Sequence, residues 1–156
     1  MKKLIFLFII SALCLGAKPV EEDKTKKTIF FEGKFDYTGV IVEKVYDIDN
    51  IKLEDGKLIS VADVQMPEGL RVSTRNFLRE NLENKKVKVK FISDGIAKFI
   101  KTPSYIILGN DKVINVELVR QGYTVPVLNP NAEFQEKFLE AQNQAQDAKL
   151  GIWAEE

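Results

Sequence analysis

The sequence predicts an α+β fold in which about five strands, with one helix set between them, are followed by two further helices. Apolar and polar residues alternate from Val40 to Leu53, which is typical of half-buried strands. Residues 54–57 read Glu-Asp-Gly-Lys and favour a hairpin turn, because glycine adopts positive φ at no steric cost. Apolar residues from Phe134 to Ala148 recur at helical spacing. Hairpins with separate helices predict the α+β class, and a small closed sheet fits the same pattern.

The middle of the chain adds two strands and one helix. Residues 58–64 are the predicted returning strand of the hairpin, and Pro67 ends strand pairing because it lacks a backbone N–H. A helix follows, with Ser73 or Thr74 as its expected N-cap. Residues 87–91 alternate lysine with valine or phenylalanine, which predicts another strand.

The last part of the chain predicts one more hairpin and two helices. Residues 105–113 form the hairpin around a Gly-Asn-Asp turn. Asn115 is the expected N-cap of a short helix that Gly122 ends. The final helix is expected to begin near Asn131, after a proline, and to bury its apolar stripe in the core.

The N-terminus has the three parts of a secretory signal peptide over residues 1–17. Two lysines precede an apolar run at residues 4–15, and small residues end the segment. The run is shorter than the roughly 20 residues of a membrane span. We expect cleavage near Ala17, with lipidation at Cys14 as an alternative that the large Leu13 disfavours. The protein is therefore predicted to be exported, periplasmic or secreted, without a stable membrane span after cleavage.

The rest of the chain divides into a charged tether at residues 18–35 and one domain at residues 36–154, expected to be monomeric. Removing the two lysines of the signal from the 23 basic residues leaves 21 against 23 acidic ones. The whole chain thus has no net attraction to nucleic acid, and a polyanion site would have to be a local patch. The absence of histidine excludes histidine-based catalytic triads and the usual zinc sites.

Four segments resemble, in order, motifs of the thermonuclease (staphylococcal nuclease-like) family. They are residues 45–53 (VYDIDNIKL), 64–68 (VQMPE), 113–123 (VINVELVRQGY) and 145–153 (AQDAKLGIW). The last two are the most specific, and the resemblance extends over most of the predicted domain. It implies a five-stranded OB-fold β-barrel with three helices, in agreement with the periodicities above.

The resemblance also implies a site that cleaves DNA and RNA phosphodiesters with one calcium ion. Asp49 matches the first metal-binding aspartate, and Glu68 matches the catalytic glutamate that activates water. Gln65 stands at the place of the second metal-binding aspartate, where an amide lacks the charge that calcium favours. Met66 replaces a threonine whose backbone carbonyl joins the site, and that carbonyl is retained.

The two arginines that stabilise the transition state in this family have no arginine counterpart here. Ser60 occupies the first place. The second is taken by Thr102 if the segments are matched without a gap, or by Lys101 if one residue is inserted. Lysine supplies charge but not the two-pronged geometry that fits phosphate. Because losing one such donor lowers a rate about 100- to 1,000-fold, efficient nuclease activity is not expected.

These residues also have structural interpretations. The polar residues of 47–50 favour turns on their own account, and Glu68 can simply precede a helix. The lysines of residues 85–90 are expected to form a solvated strand face, with a phosphate-binding stripe as the alternative. Tyr105 is expected to pack in the core or at its rim rather than to stack on a base.

Three functions remain open at this point. A catalytically impaired family member could bind DNA, RNA or a protein partner outside the cytoplasm. A slow calcium-dependent nuclease could use the residues named above, with Asp47 or Asp63 supplying the carboxylate that Gln65 lacks. An envelope structural or interaction module would need neither metal nor arginine.

Overall fold

The computed structural model describes residues 35–92, 101–128 and 133–154. The predicted signal peptide at residues 1–17 and the predicted tether at 18–35, apart from Phe35, lie outside these residues. Among the described residues, no helix is both long and apolar enough to cross a membrane.

The described ranges contain seven strands and three α-helices. The strands are β1 (Tyr37–Asp47), β2 (Asn50–Leu53), β3 (Leu58–Val61), β4 (Val64–Gln65), β5 (Lys86–Phe91), β6 (Thr102–Ile107) and β7 (Val125–Pro126). The helices are α1 (Arg71–Leu82), α2 (Ile114–Arg120) and α3 (Gln135–Asp147).

Five of the strands close into a barrel in the order β1-β2-β3-β6-β5. Neighbouring strands are antiparallel except β3 and β6, which are parallel. The short strands β4 and β7 pair separately. The predicted α+β fold, an OB-type barrel of five strands with three helices, is therefore confirmed.

Two apolar clusters stabilise the fold. The first fills the barrel and includes Leu78 and Leu82 of α1, which covers the barrel on one side. The second lies against the outer face of β6 and includes Phe138 of α3. Strand β6 serves both clusters, because Ile106 points into the barrel while Tyr105 points outward.

Helix α1 begins earlier than the capping pattern predicts. It starts at Arg71, directly after a 3-10 turn over Glu68–Leu70, and no side chain caps its first turn. The predicted caps Ser73 and Thr74 are therefore wrong. Thr74 lies inside the helix, fully buried, and its hydroxyl is 3.5 Å from the carbonyl oxygen of Tyr123. The Thr74 side chain therefore contacts a distant part of the chain and does not cap the helix.

Asn115 is likewise not a helix cap. It is the second residue of α2, and its side chain is completely buried. The amide nitrogen donates to the carbonyl oxygens of Ala62 (3.0 Å) and Ser104 (2.9 Å), and the amide oxygen accepts from the backbone N–H of Ile106 (3.1 Å). One side chain thereby ties α2 to the residue that follows β3 and to the middle of β6.

The ends of α2 and α3 meet where two glycines approach each other closely. Gly122 and Gly151 have φ of 69° and 56°, in the left-handed region. A Cβ added to Gly122 would overlap the carbonyl of Leu150, and the N–H of Ile152 donates to the Gly122 carbonyl at 3.0 Å. The predicted helix stop at Gly122 is confirmed, and its close approach explains why only glycine fits.

Helix α3 carries its predicted apolar stripe for most of its length. Phe134, Phe138, Ala141 and Ala145 are buried. Ala148 was also expected in the stripe, but it is exposed, because it lies beyond the last residue of the helix. The expected start near Asn131 lies outside the described residues.

Candidate active site

The acidic segment 47–50 is the turn between β1 and β2. Asp47 pairs with Asn50, leaving Ile48 and Asp49 as the two turn residues. The Ile48 side chain is 3% exposed and packs in the barrel core, while Asp49 is exposed. The N–H of Val61 donates to the Ile48 carbonyl at 3.0 Å and anchors the turn to β3. Burying Ile48 therefore fixes the turn with Asp49 on its solvent side.

Protein donors already hold the carboxylate of Asp47. One oxygen, Oδ1, accepts the backbone N–H of Ile48 at 2.8 Å. The other, Oδ2, accepts from Nη1 of Arg71, the first residue of α1, at 2.7 Å. Both oxygens thus have a partner, and Asp47 is not a ready substitute for the carboxylate that Gln65 lacks.

Asp63 is also engaged. It lies between β3 and β4 with φ of 57°, where an aspartate is tolerated more readily than most residues. Its carboxylate accepts a hydrogen bond from the hydroxyl of Tyr105, a buried residue packed edge-on against Phe134. Burial first, then the hydrogen bond and charge of Asp63, raise the pKa of Tyr105, so the phenol stays a donor. The core position predicted for Tyr105 is confirmed.

The segment after Asp63 carries the remaining matched residues. Gln65 pairs with Val125 in the small sheet, and its side chain is exposed. Met66 is half-buried against the barrel core. Glu68 is exposed in the 3-10 turn before α1. Within the described residues, the carboxylates of Asp49 and Glu68 have no hydrogen-bond or ion-pair partner, which distinguishes them from Asp47 and Asp63.

The two vacated arginine places lie on adjoining strands. In the parallel pairing of β3 and β6, Ile59 is opposite Thr102 and Ser60 is opposite Pro103. Ile59 points into the barrel, so alternation turns Ser60 and Pro103 outward. The same alternation, continued one residue before β6, places the exposed Lys101 on the outer side and Thr102 on the inner side. Lys101 therefore lies on the same side of the barrel wall as Ser60, and its match to the second arginine place stays a prediction.

Comparison with known proteins assigns the chain to a family. The model of the staphylococcal nuclease homologue family matches residues 59–155, more than half of the chain. The chain belongs to this family. It is 28% identical over 126 residues to a thermonuclease of Staphylococcus intermedius, covering 72% of this chain and 74% of that protein. It is 29% identical to a thermonuclease of Staphylococcus hyicus, with the same coverage.

The donor atoms of this nuclease homologue fall short of a calcium site. Calcium takes six to eight oxygen ligands, several of them carboxylate. At the turn, the structure leaves the exposed carboxylate of Asp49 and the buried Oδ1 of Asn50, which accepts no hydrogen bond within the described residues. No group of three or more His, Cys, Asp and Glu suited to a metal occurs in the described ranges. These residues offer calcium fewer carboxylate oxygens than it usually takes, and the site of Asp49, Gln65 and Met66 stays a prediction.

The lysines of β5 are largely used in ion pairs. Lys88 contacts Asp111 at 2.9 Å, and Lys90 contacts Glu133. A lysine that is neutralised in this way has less charge to offer a phosphate. The structure thus favours the predicted solvated strand face over a phosphate-binding stripe.

Three arginines of α1 had no predicted role. Arg71, Arg75 and Arg79 recur every four residues, a spacing that places them on one face of a helix. Arg71 reaches the acidic turn, and Arg79 donates from Nε to the carbonyl of Val45 at 3.1 Å. The four-residue spacing of these arginines could be seen in the sequence. Which part of the barrel they contact depends on how α1 packs against β1, which the sequence does not show.

Proposed function

We propose that this nuclease homologue is an exported protein that binds nucleic acid and is impaired in cleaving it. Family membership supplies the fold that handles phosphodiesters, and the substitutions at Ser60 and Gln65 supply the impairment. The predicted signal peptide supports export.

The observation that carries the proposal is that protein donors already bind the two carboxylates that could take the place of the one missing at Gln65. Asp47 and Asp63 were the candidates to compensate for Gln65, and each is bound by a protein donor, Arg71 and Tyr105 respectively. A cation at the turn would have to compete with a guanidinium for Asp47. Cleavage that depends on calcium is accordingly expected to be weak.

The missing guanidinium groups act in the same direction. Each preorganised donor to a transition state is worth about 100- to 1,000-fold in rate. Lys101 restores charge at one place, while Ser60 supplies none at the other. The combined losses are rarely additive, yet they are large enough to remove most catalysis.

The test measures cleavage and binding in the same preparation. Purified protein is incubated with labelled single-stranded DNA and RNA, with calcium and with chelator. Glu68→Ala is the site variant, and Glu136→Ala, an exposed glutamate of α3, is the matched control. Binding is followed by fluorescence anisotropy of the same oligonucleotides.

We expect anisotropy to report binding, with no cleavage above that of Glu68→Ala. Calcium-dependent cleavage that Glu68→Ala abolishes and Glu136→Ala retains would refute impairment and identify a working nuclease. If neither binding nor cleavage is detected, the nucleic-acid role is refuted, and the search turns to a protein partner.

A further inference from the structure

The arginines of this chain are distributed unevenly. Three of its four arginines, Arg71, Arg75 and Arg79, lie on one face of α1, while the fourth, Arg120, lies on α2. The resemblance to thermonucleases implies phosphate-stabilising arginines at the places of Ser60 and of Lys101 or Thr102, and none of these is an arginine here. The guanidinium groups are therefore concentrated on a helix beside the site.

Two contacts direct the arginine face toward β1. Arg79 donates from Nε to the Val45 carbonyl, and Arg71 donates to the Asp47 carboxylate, two residues further along the strand. The face therefore runs along the end of β1 and finishes at the turn that carries Asp49. Arg79 is also 3.8 Å from Glu83, so its charge is shared within the helix.

Arg75 lies between these two anchors and lacks a partner. Its Nε atom is buried and makes no hydrogen bond, and no ion pair neutralises its guanidinium within the described residues. A buried donor without an acceptor costs about 1–3 kcal/mol, so such groups are rare in native proteins. The two terminal Nη groups of an unpaired guanidinium suit a phosphate, because their parallel N–H groups match two phosphate oxygens.

Arg71 also has donors to spare. Its side chain is 63% exposed, and only Nη1 is bound to Asp47. A guanidinium has five N–H groups, so most of them face solvent beside the turn. The Asp47 carboxylate orients Arg71 and offsets part of its charge, but it leaves the other N–H groups of the guanidinium available.

We propose that Arg71 and Arg75 form a phosphate-binding subsite on α1 that engages the backbone of nucleic acid without metal. The subsite deepens the proposed function and rests on it. The guanidinium of Arg75 binds one phosphate, and Arg71 binds the neighbouring phosphate. The nucleic-acid strand then runs along α1 toward the turn between β1 and β2. Arginines of the helix thus supply the phosphate contacts, since the barrel strands carry no arginine.

The test compares arginine variants by anisotropy of a labelled single-stranded oligothymidylate in chelator, over a series of salt concentrations. Arg71→Gln and Arg75→Gln remove subsite charges. Arg120→Gln is the matched control, since Arg120 contacts Glu117 and Gln144 on a different helix. Arg75→Lys keeps the charge and removes the fork, and thermal melts establish that each variant is folded.

We expect Arg75→Gln and Arg71→Gln each to weaken binding about tenfold and to reduce the salt slope by about 0.7, the value for one phosphate of a single strand. Arg75→Lys should restore the slope but only part of the affinity, and Arg120→Gln should stay within about twofold of wild type. Inorganic phosphate should displace the oligonucleotide only weakly, which distinguishes a nucleic-acid backbone from free phosphate as the ligand.

Wild-type binding that is unchanged in both glutamine variants would overturn the subsite and leave the proposed function standing. Equal losses in Arg120→Gln would also overturn it, because general charge would then explain the effect. A wild-type protein that does not bind the oligonucleotide would overturn both. Strong displacement by inorganic phosphate would overturn the assignment to nucleic acid.

Discussion

Asn115→Ala tests whether one buried amide holds the site segment to the barrel. The amide contacts Ala62, which follows β3, and Ser104 in the middle of β6, and Ala62 stands directly before Asp63. Everything from Asp63 to the 3-10 turn therefore leaves the barrel at a point that this side chain fixes. Loss of the amide should loosen that segment as well as destabilise the fold.

The magnitude follows from the atoms left behind. The Ser104 carbonyl keeps a second donor, the N–H of Ala62, at 3.1 Å. The N–H of Ile106 and the carbonyl of Ala62 lose the partner that Asn115 supplies. Two buried groups left unpaired cost about 1–3 kcal/mol each. The higher helix propensity of alanine returns about 0.6 kcal/mol, which leaves a net destabilisation of about 3 kcal/mol.

Urea unfolding followed by circular dichroism measures this difference. Asn81→Ala is the matched control, because Asn81 makes a single hydrogen bond to Phe77 one turn away in α1. Alanine improves the helix there, so we expect a change below about 1 kcal/mol. An Asn115→Ala variant no less stable than Asn81→Ala would refute the bridging role of this amide.

Three further predictions address the helix junction, the buried tyrosine and the metal position. Gly122→Ala should destabilise the fold by more than about 1–2 kcal/mol in urea unfolding, because positive φ is unfavourable for alanine and the added Cβ meets the Leu150 carbonyl. Tyr105, whose pKa is raised, should make the free energy of unfolding fall as pH rises above about 10, since the unfolded phenol then ionises while the folded one does not. Tyr105→Phe should flatten that fall, measured by urea unfolding at a series of alkaline pH values. Gln65→Asp should add a second carboxylate to the predicted site of Asp49 and let calcium stabilise the fold by about 1 kcal/mol at five times the dissociation constant, which a rise in melting temperature measures.

Each of these has a contrasting variant. Gly56→Ala lies at a turn where an added Cβ meets nothing within 4 Å, so it should cost only the positive φ. Tyr46→Phe, which removes the hydroxyl of an exposed tyrosine, is the contrasting variant for Tyr105→Phe. Gln142→Asp adds the same charge on α3 and should give no response to calcium. A response equal to that of its contrasting variant would contradict the corresponding prediction.

Local pattern predicted those parts of the fold that local geometry determines. The alternation from Val40 to Leu53 became β1 and β2, and Gly56 occupies its turn with φ of 86°. Asn115 was expected to cap a helix, because the asparagine side chain commonly accepts a hydrogen bond from a backbone N–H two or three residues further along the chain. Its actual partners, such as Ala62, lie far away in sequence, and tertiary hydrogen bonds overrode the local preference.

The candidate site was predictable in its positions but not in its contacts. Sequence motifs placed Asp49 and Glu68, and the structure finds both exposed. The pairing of Asp47 with Arg71 spans 24 residues, and that of Asp63 with Tyr105 spans 42. No spacing rule connects residues so far apart, so the occupation of both carboxylates emerges only when the strands and α1 are assembled.

The ion pair between Arg71 and Asp47 couples the anion and cation preferences of the site. If Arg71 binds phosphate, Arg71→Gln weakens the oligonucleotide complex. The same change frees one oxygen of Asp47 at the turn, and a cation there no longer meets a competing guanidinium. In the Gln65→Asp background, Arg71→Gln should therefore increase the stabilisation by calcium while it decreases binding of nucleic acid without metal. A variant that binds calcium more strongly and nucleic acid more weakly cannot be explained by a general loss of folding, because misfolding would weaken the binding of both ligands. Equal calcium responses with and without Arg71 would mean that the guanidinium does not close the cation position.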